Sequence, residues 1–185
     1  MTLVSICIPT YKQTKYLKLC LDSILAQSFK DYEVIISDDT SDDSVKDFVS
    51  TYKIQNLSYF KNVPAIGTPG NWNAAIAKAK SKYIKVMHHD DYFLKPDSLQ
   101  KFVAAAEKNN SNFVFCNTEV WHTSDNSRRI SGPNSIQLER IKKDPSFLFF
   151  RNKIGAPSAT LFLRNGSVFD ENLKWLVDVD FYISY

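Results

Sequence analysis

A chain of 185 residues with a formal net charge of +3 has a single domain as its default and ample length for a core. That charge is too small to argue for a nucleic-acid partner, and the composition is ordinary for a soluble globular protein, with more aromatic residues than usual. No apolar run approaches the roughly 20 residues of a membrane span. The N-terminus runs straight into Leu3-Val4-Ser5-Ile6-Cys7-Ile8, without a basic leader or a small-residue cleavage site, so no signal peptide is expected. Cys7, Cys20 and Cys116 are odd in number and lie in apolar segments. They are expected to be reduced thiols packed as small hydrophobes in a cytoplasmic protein, and none has metal-ligand spacing.

In chain order, Leu3 to Ile8 reads as a buried strand stopped by Pro9-Thr10-Tyr11. Leu17, Cys20, Leu21, Ile24 and Leu25 then recur at helical spacing and form one apolar stripe. Tyr32 to Ser37 is the second strand, closed by Asp38-Asp39-Thr40, and Ser41 is the expected N-cap of a helix carrying Val45, Phe48, Val49 and Tyr52. Leu57 to Phe60 is a weaker strand. After a loop with Gly67 and Gly70 comes a helix with Trp72, Ala75, Ile76 and Ala79 in register. Tyr83 to Met87 is the fourth strand. Asp97 with Gln100 has the spacing of a capping box for a helix carrying Leu99, Phe102, Val103 and Ala106, and Asn112 to Asn117 is the fifth strand. This alternation specifies an α/β fold: a doubly wound, mainly parallel sheet with helices on both faces. Beyond it, 124–135 reads as an exposed loop containing Arg128 and Arg129, Pro145 to Phe150 as a short helix and Ser158 to Leu163 as a further strand. The chain stops seven residues past Asp178, inside what reads as a starting helix, so a C-terminally truncated fragment is expected.

The chemistry concentrates where strands end. His88-His89-Asp90-Asp91 follows the fourth strand, Asp38-Asp39 the second and Pro9-Thr10-Tyr11 the first. In a doubly wound sheet these ends lie along one edge, where such folds bind ligands. Adjacent carboxylates repel unless a cation lies near them, and hard divalent ions prefer oxygen ligands. A carboxylate that accepts from a base or ribose, an aromatic ring that stacks on a base and a cation that neutralises a diphosphate together match a nucleotide diphosphate. No glycine-rich phosphate loop is present, so a metal would have to carry the phosphate. The plain alternative is that Asp90 and Asp91 are solvated turn residues before Pro96.

Val4 to Tyr11, Leu21 to Ser28, Tyr32 to Asp42, Asn71-Trp72-Asn73-Ala74-Ala75 and the strand ending in Asp90-Asp91 together resemble family 2 glycosyltransferases, over nearly the whole chain. The resemblance implies a GT-A fold, with 1–117 as the nucleotide-sugar half and 118–185 as the start of an acceptor-side portion. It implies inverting transfer from a UDP or dTDP sugar to a saccharide or glycolipid hydroxyl, assisted by Mn2+ or Mg2+. The setting would be polysaccharide or glycoconjugate synthesis in the cytoplasm, with possible peripheral contact at the inner membrane face. By resemblance, Pro9, Thr10, Tyr11, Asp38, Asp39, Asn73 and Asp90 would bind the nucleotide. Asp91 and Asp90 would hold the metal, with Asp91 the first choice. Asp178, in Val177-Asp178-Val179-Asp180, would be the catalytic base, with Asp180 as the fallback.

The chain departs from the family pattern at His88 and Val177, where an acidic residue is usual. His88 and His89 either ligate the metal or pack beneath it. Trp121 and His122 border the sugar or pack in the core, and Trp175 either faces an acceptor or fills the core. Two other functions stand beside the transferase. A sugar nucleotidyltransferase would need a glycine-rich, basic N-terminal loop, which Pro9-Thr10-Tyr11-Lys12-Gln13 lacks. A non-catalytic nucleotide-sugar-binding module is the other.

Overall fold

The structure, a computed structural model, describes residues 2–185. The elements run β1 (Val4–Thr10), α1 (Thr14–Leu25), β2 (Tyr32–Asp38), α2 (Ser44–Ser50), β3 (Leu57–Lys61), α3 (Gly70–Ala77), β4 (Tyr83–Val86), α4 (Ser98–Lys108) and β5 (Phe113–Phe115). Then come β6 (Thr118–His122), β7 (Ser127–Ser131), α5 (Ser135–Lys143), α6 (Phe147–Phe150), a 3-10 turn at Pro157–Ala159, β8 (Thr160–Leu163) and α7 (Val177–Ser184). The main sheet has the order β3-β2-β1-β4-β8-β5. Its first four strands are parallel neighbours, and β8 runs antiparallel between β4 and β5. The alternation in sequence predicts the parallel half. It does not predict that a strand more than forty residues later in sequence than β5 inserts beside β4.

The two-residue period of β1 and β2 explains why both faces need helices. Val4, Ile6 and Ile8, with Val34 and Ile36, face a cluster built by Leu17, Cys20, Leu21 and Ile24 of α1, Val45 and Val49 of α2, and Leu99, Phe102 and Val103 of α4. Cys7 and Ile35 face the opposite cluster, with Ala75 and Ile76 of α3, Leu148 of α6 and Val179 and Phe181 of α7. A fully buried isoleucine contributes about 1.5–3 kcal/mol relative to an exposed one. The central strands are therefore held in register by burial on two sides.

Several local expectations are corrected. Leu25 leaves the α1 stripe and is exposed. Ser41 does not cap α2; the helix starts at Ser44, whose backbone N–H donates to Asp42 Oδ1 (3.0 Å). Asp97 does precede α4, but its side chain makes no capping bond and pairs with Lys101 instead (2.8 Å). A capping box does form at α5, where Asn134 and Gln137 satisfy one another's backbone N–H groups. The segment 124–135 is not simply a loop, because β6 and β7 form a hairpin, with Trp121 opposite Arg128 and Glu119 opposite Ile130. Arg128 pairs with Glu119 (2.6 Å) and its guanidinium lies 5.0 Å from the centre of the Trp121 ring. Asn126 closes the turn in the left-handed region at φ 54°, which asparagine tolerates better than most residues. Cys116 is exposed because β5 ends at Phe115, whereas Cys7 and Cys20 are buried as expected.

Lys85, in the middle of β4, is a charged side chain that is fully buried. Its Nζ donates to the Ser158 carbonyl and lies 4.7 Å from the Phe102 ring centre and 5.6 Å from that of Phe93. Burial pushes its ammonium group down to about 8, while the charge of Asp91 opposes that fall. A depressed lysine makes the folded state release its proton before the unfolded chain does, so its contribution to stability rises with pH between about 8 and the ordinary lysine value near 10.5. The stability difference between wild type and Lys85→Met should therefore shift in favour of wild type by roughly 3 kcal/mol across that window. Urea midpoints measured at pH 7.5 and pH 10.5 test this, and a pH-independent difference would contradict it.

Candidate functional site

The site is assembled by the ladder that runs past the strand ends. Asp39 N donates to Thr10 O (3.0 Å), Met87 N donates to Cys7 O (2.9 Å), and His89 Nδ1 lies 3.3 Å from Pro9 O. The residues that follow β1, β2 and β4 therefore meet at one rim of the sheet. Thr10 is buried, and its Oγ1 has no partner among the described residues. Tyr11 is 49% exposed. Lys12 adopts φ 62°, donates its N–H to Thr40 Oγ1 (2.8 Å) and lays its ammonium group 4.8 Å from the Tyr11 ring centre.

Asp38 and Asp39 have different roles. Asp38 is fully buried; it accepts from Thr40 N (2.8 Å) and from Tyr59 OH (2.6 Å), so it braces β2 against β3. Asp39 accepts from Asn62 Nδ2 (2.9 Å), Ile66 N (3.2 Å) and Gly67 N (2.7 Å), and so orders the loop that walls this rim. Gly67 sits at φ 69°, a conformation that favours glycine. Asn62 also donates to Asn71 Oδ1 (3.1 Å), and Asn71 donates to Thr10 O (3.2 Å), closing the loop onto β1. Asn73, expected among the nucleotide contacts, is buried instead. Its amide is engaged with Phe169 N and O (2.9 and 2.8 Å) and with Glu171 (2.9 Å), joining α3 to the segment before α7. An asparagine side chain has two donors and one carbonyl, and here all are in use.

His88, Asp90 and Asp91 each bring a ligand atom within 4.8 Å of the others. Two ligands at about 2.0–2.6 Å from one ion are about 4–5 Å apart at most, so this separation fits a shared cation. Asp91 N donates to His88 O (3.0 Å), which turns the backbone back on itself, and His88 N donates to Ser158 Oγ (2.9 Å). The His88 ring packs 4.7 Å from Trp72, and its Nε2 is shut off from solvent without a partner among the described residues. Burial lowers the imidazolium pKa, while Asp91 and Asp90 pull it back up. The ring is thus favoured neutral, with a nitrogen lone pair available.

Asp178 stands in the first turn of α7 and is half-buried. It accepts from Asn152 Nδ2 (2.6 Å) and from Val179 N (2.9 Å). Burial raises its pKa, opposed by those hydrogen bonds, that from the Val179 backbone first. Asn152, which holds Asp178, also donates to the Gly155 carbonyl (3.1 Å), and Gly155 lines the same cavity as Asp90 and Asp91. Asp180 lies two residues on, on a different helix face. Trp175, just before α7, is 86% exposed and does not fill the core. Asp90 and Asp91 line a cavity of 850 Å³, walled in part by Tyr92, Phe115 and Trp121.

Sequence reasoning missed Asn62, Asn71, Asn152 and Ser158, the residues that orient the expected ones. Asn152 carried a weak local signal. Its Oδ1 accepts from Ile154 N (3.0 Å) and Gly155 N (2.9 Å), the kind of self-closed turn that asparagine favours before glycine.

Residues 5–172 match the family model described as Glycosyl transferase family 2. The Escherichia coli UDP-Glc:alpha-D-GlcNAc-diphosphoundecaprenol beta-1,3-glucosyltransferase WfgD is 25% identical over 142 residues, covering 77% of this chain and 56% of that protein. The crystal structure of Staphylococcus aureus TarS 1-349 in complex with UDP superposes with a TM-score of 0.74 at 21% identity, covering 97% of this chain and 53% of that one. The mannosyltransferase PcManGT from Pyrobaculum calidifontis, in complex with GDP-Man and Mn2+, superposes with a TM-score of 0.56 at 21% identity, covering 67% and 37%. At these identities the two structures speak for the fold alone. The chain spans about half the length of the relatives it matches. With its mainly parallel α/β sheet, its strand-end carboxylates and a family match over most of its length, the chain belongs to glycosyl transferase family 2 and has the GT-A fold.

Proposed function

We propose that this chain forms the donor-binding and catalytic part of an inverting glycosyltransferase. It would move a sugar from a UDP-type nucleotide sugar to a hydroxyl of a saccharide or glycolipid, with Mn2+ or Mg2+ at Asp91 and Asp90. The observation that carries this reading is the grouping of His88, Asp90 and Asp91 within 4.8 Å of one another just past the end of β4, at the rim to which the backbone ladder also brings Thr10 and Asp39. WfgD, a family relative that uses UDP-Glc, supports the donor class and a lipid-linked acceptor. Among the described residues no helix is long and apolar enough to cross a membrane.

The base of the nucleotide would lie between Tyr11 and Asp39. A carboxylate has about four lone-pair sites. Asp39 fills three with Asn62, Ile66 and Gly67, which leaves one for a base N–H. The unpartnered Thr10 hydroxyl is a second polar group at that edge. A bound divalent ion would supply Lewis-acid stabilisation of the departing diphosphate. Asp91 and Asp90 would hold it; the carboxylates repel each other without it. The acceptor oxygen attacks the anomeric carbon, the bond from that carbon to the diphosphate oxygen breaks, and the acceptor proton passes to Asp178. Asn152 and the Val179 N–H would fix the Asp178 carboxylate, one on each oxygen, leaving lone pairs to take the proton. The acceptor would enter from the cleft bordered by the 850 Å³ cavity, with Trp175 as an exposed apolar surface near Asp178.

Asp178→Asn should lower transfer to an acceptor, or hydrolysis of a UDP sugar, by about 10²–10⁴-fold while leaving UDP affinity within a small factor. An unchanged rate would remove Asp178 from the base role. Because burial raises Asp178, the acidic limb of the rate profile should lie above the ordinary aspartate range. Asn152→Leu removes a donor that favours the carboxylate form, so it should move that limb to still higher pH. UDP should bind more tightly with Mn2+ than in excess chelator, and Asp91→Ala should abolish the difference, as read by calorimetry. Equal affinities under all three conditions would end the metal assignment.

A further inference from the structure

The geometry points to His88 as a third protein ligand of the divalent cation, one that biases the site toward Mn2+ over Mg2+. The inference rests on the proposed function only in taking Asp90 and Asp91 as cation ligands. A ring nitrogen of His88 lies within 4.8 Å of carboxylate oxygens of both Asp90 and Asp91, close enough to share one ion with them. Among the described residues its buried Nε2 has no partner, although buried polar atoms in folded proteins are nearly always partnered. The neighbouring imidazole differs, because His89 has its Nδ1 directed at the Pro9 carbonyl (3.3 Å). The His88 ring is also held in place. Trp72 packs against it at 4.7 Å, and its backbone N–H is anchored on Ser158 Oγ at 2.9 Å. Ser158 is gripped in turn by the buried Lys85, whose ammonium group donates to its carbonyl. An imidazole fixed this way beside two carboxylates is a mixed nitrogen–oxygen donor set. Mg2+ favours oxygen donors and gives up water reluctantly, whereas imidazole binding strengthens along the first-row transition series. An aspartate in the same place would make an all-oxygen set with little such preference.

The test uses the chain with UDP and Mn2+, without any acceptor. Pulsed electron paramagnetic resonance of the bound Mn2+ should show coupling to a directly ligated nitrogen, and His88→Gln should remove it. In competition titrations, the preference for Mn2+ over Mg2+ should fall by at least about tenfold in His88→Gln. His88→Asp should bind both ions with the preference similarly reduced. Thermal melts establish that each variant is folded, and the nitrogen coupling in wild type decides the question without any variant. Absence of that coupling in wild type, or its survival in His88→Gln, would overturn the inference. If Asp91→Ala abolishes Mn2+ binding while His88→Gln leaves the ion preference unchanged, the inference about His88 fails and the cation site at Asp90 and Asp91 stands. If Asp91→Ala leaves Mn2+ binding intact, the cation site itself is wrong and His88 falls with it.

Discussion

The ladder between β1 and its two parallel neighbours continues for one step after the strands stop, and the functional arrangement depends on that step. Asp39 N reaches Thr10 O and Met87 N reaches Cys7 O, so the first polar residues after three strands are held at one level by backbone hydrogen bonds. Those bonds form in register because β1 and β2 are buried on both faces. A one-residue slip would exchange the residues facing α1 with those facing α3, and neither helix offers an alternative surface. Positioning at the rim is therefore a consequence of core packing some distance from it.

Charge is concentrated at that rim with few basic side chains among it. Asp39 is neutralised locally by backbone and amide donors, which also order the 62–67 loop. Asp90 and Asp91 have no comparable set, and the buried Lys85 beneath them is a positive charge that burial tends to discharge. Asp178 is half-buried, which raises its pKa above the ordinary aspartate value, while the hydrogen bond from Asn152 holds that rise back. One acidic residue thus shapes the wall, two have no side-chain hydrogen-bond donors among the described residues and one is tuned by burial. The same residue type has three uses because its hydrogen-bond partners differ.

Long-range partners account for most of what sequence reading missed. Asp38 and Asp39 are adjacent and chemically identical, yet Tyr59 and Thr40 absorb the first, and the 62–67 loop shapes the second. Asn73 lies in a helix that reads clearly in sequence, but its amide is committed to Phe169 and Glu171, nearly a hundred residues away. The hairpin of β6 and β7 has little apolar alternation on its exposed second strand, and its stability comes from cross-strand pairs such as Glu119–Arg128 and Arg128–Trp121. Lys85 breaks an otherwise apolar strand without a visible local cue. The Phe93 and Phe102 rings and the Ser158 carbonyl around it come from three other segments.

The amino-acid order alone determined the alternation of strands and helices, the apolar stripes of α1 and α4, the two-sided burial of β1 and β2 and the clustering of carboxylates after strand ends. These are properties of period and adjacency, which a chain carries locally. Folding in three dimensions decided that β8 inserts between β4 and β5, that Asp38 and Asn73 are braces, that Trp175 faces solvent, and that His88 joins Asp90 and Asp91. Each of those outcomes depends on a partner distant in sequence. Hydrogen bonding and desolvation act between neighbours in space, which the order of residues does not name.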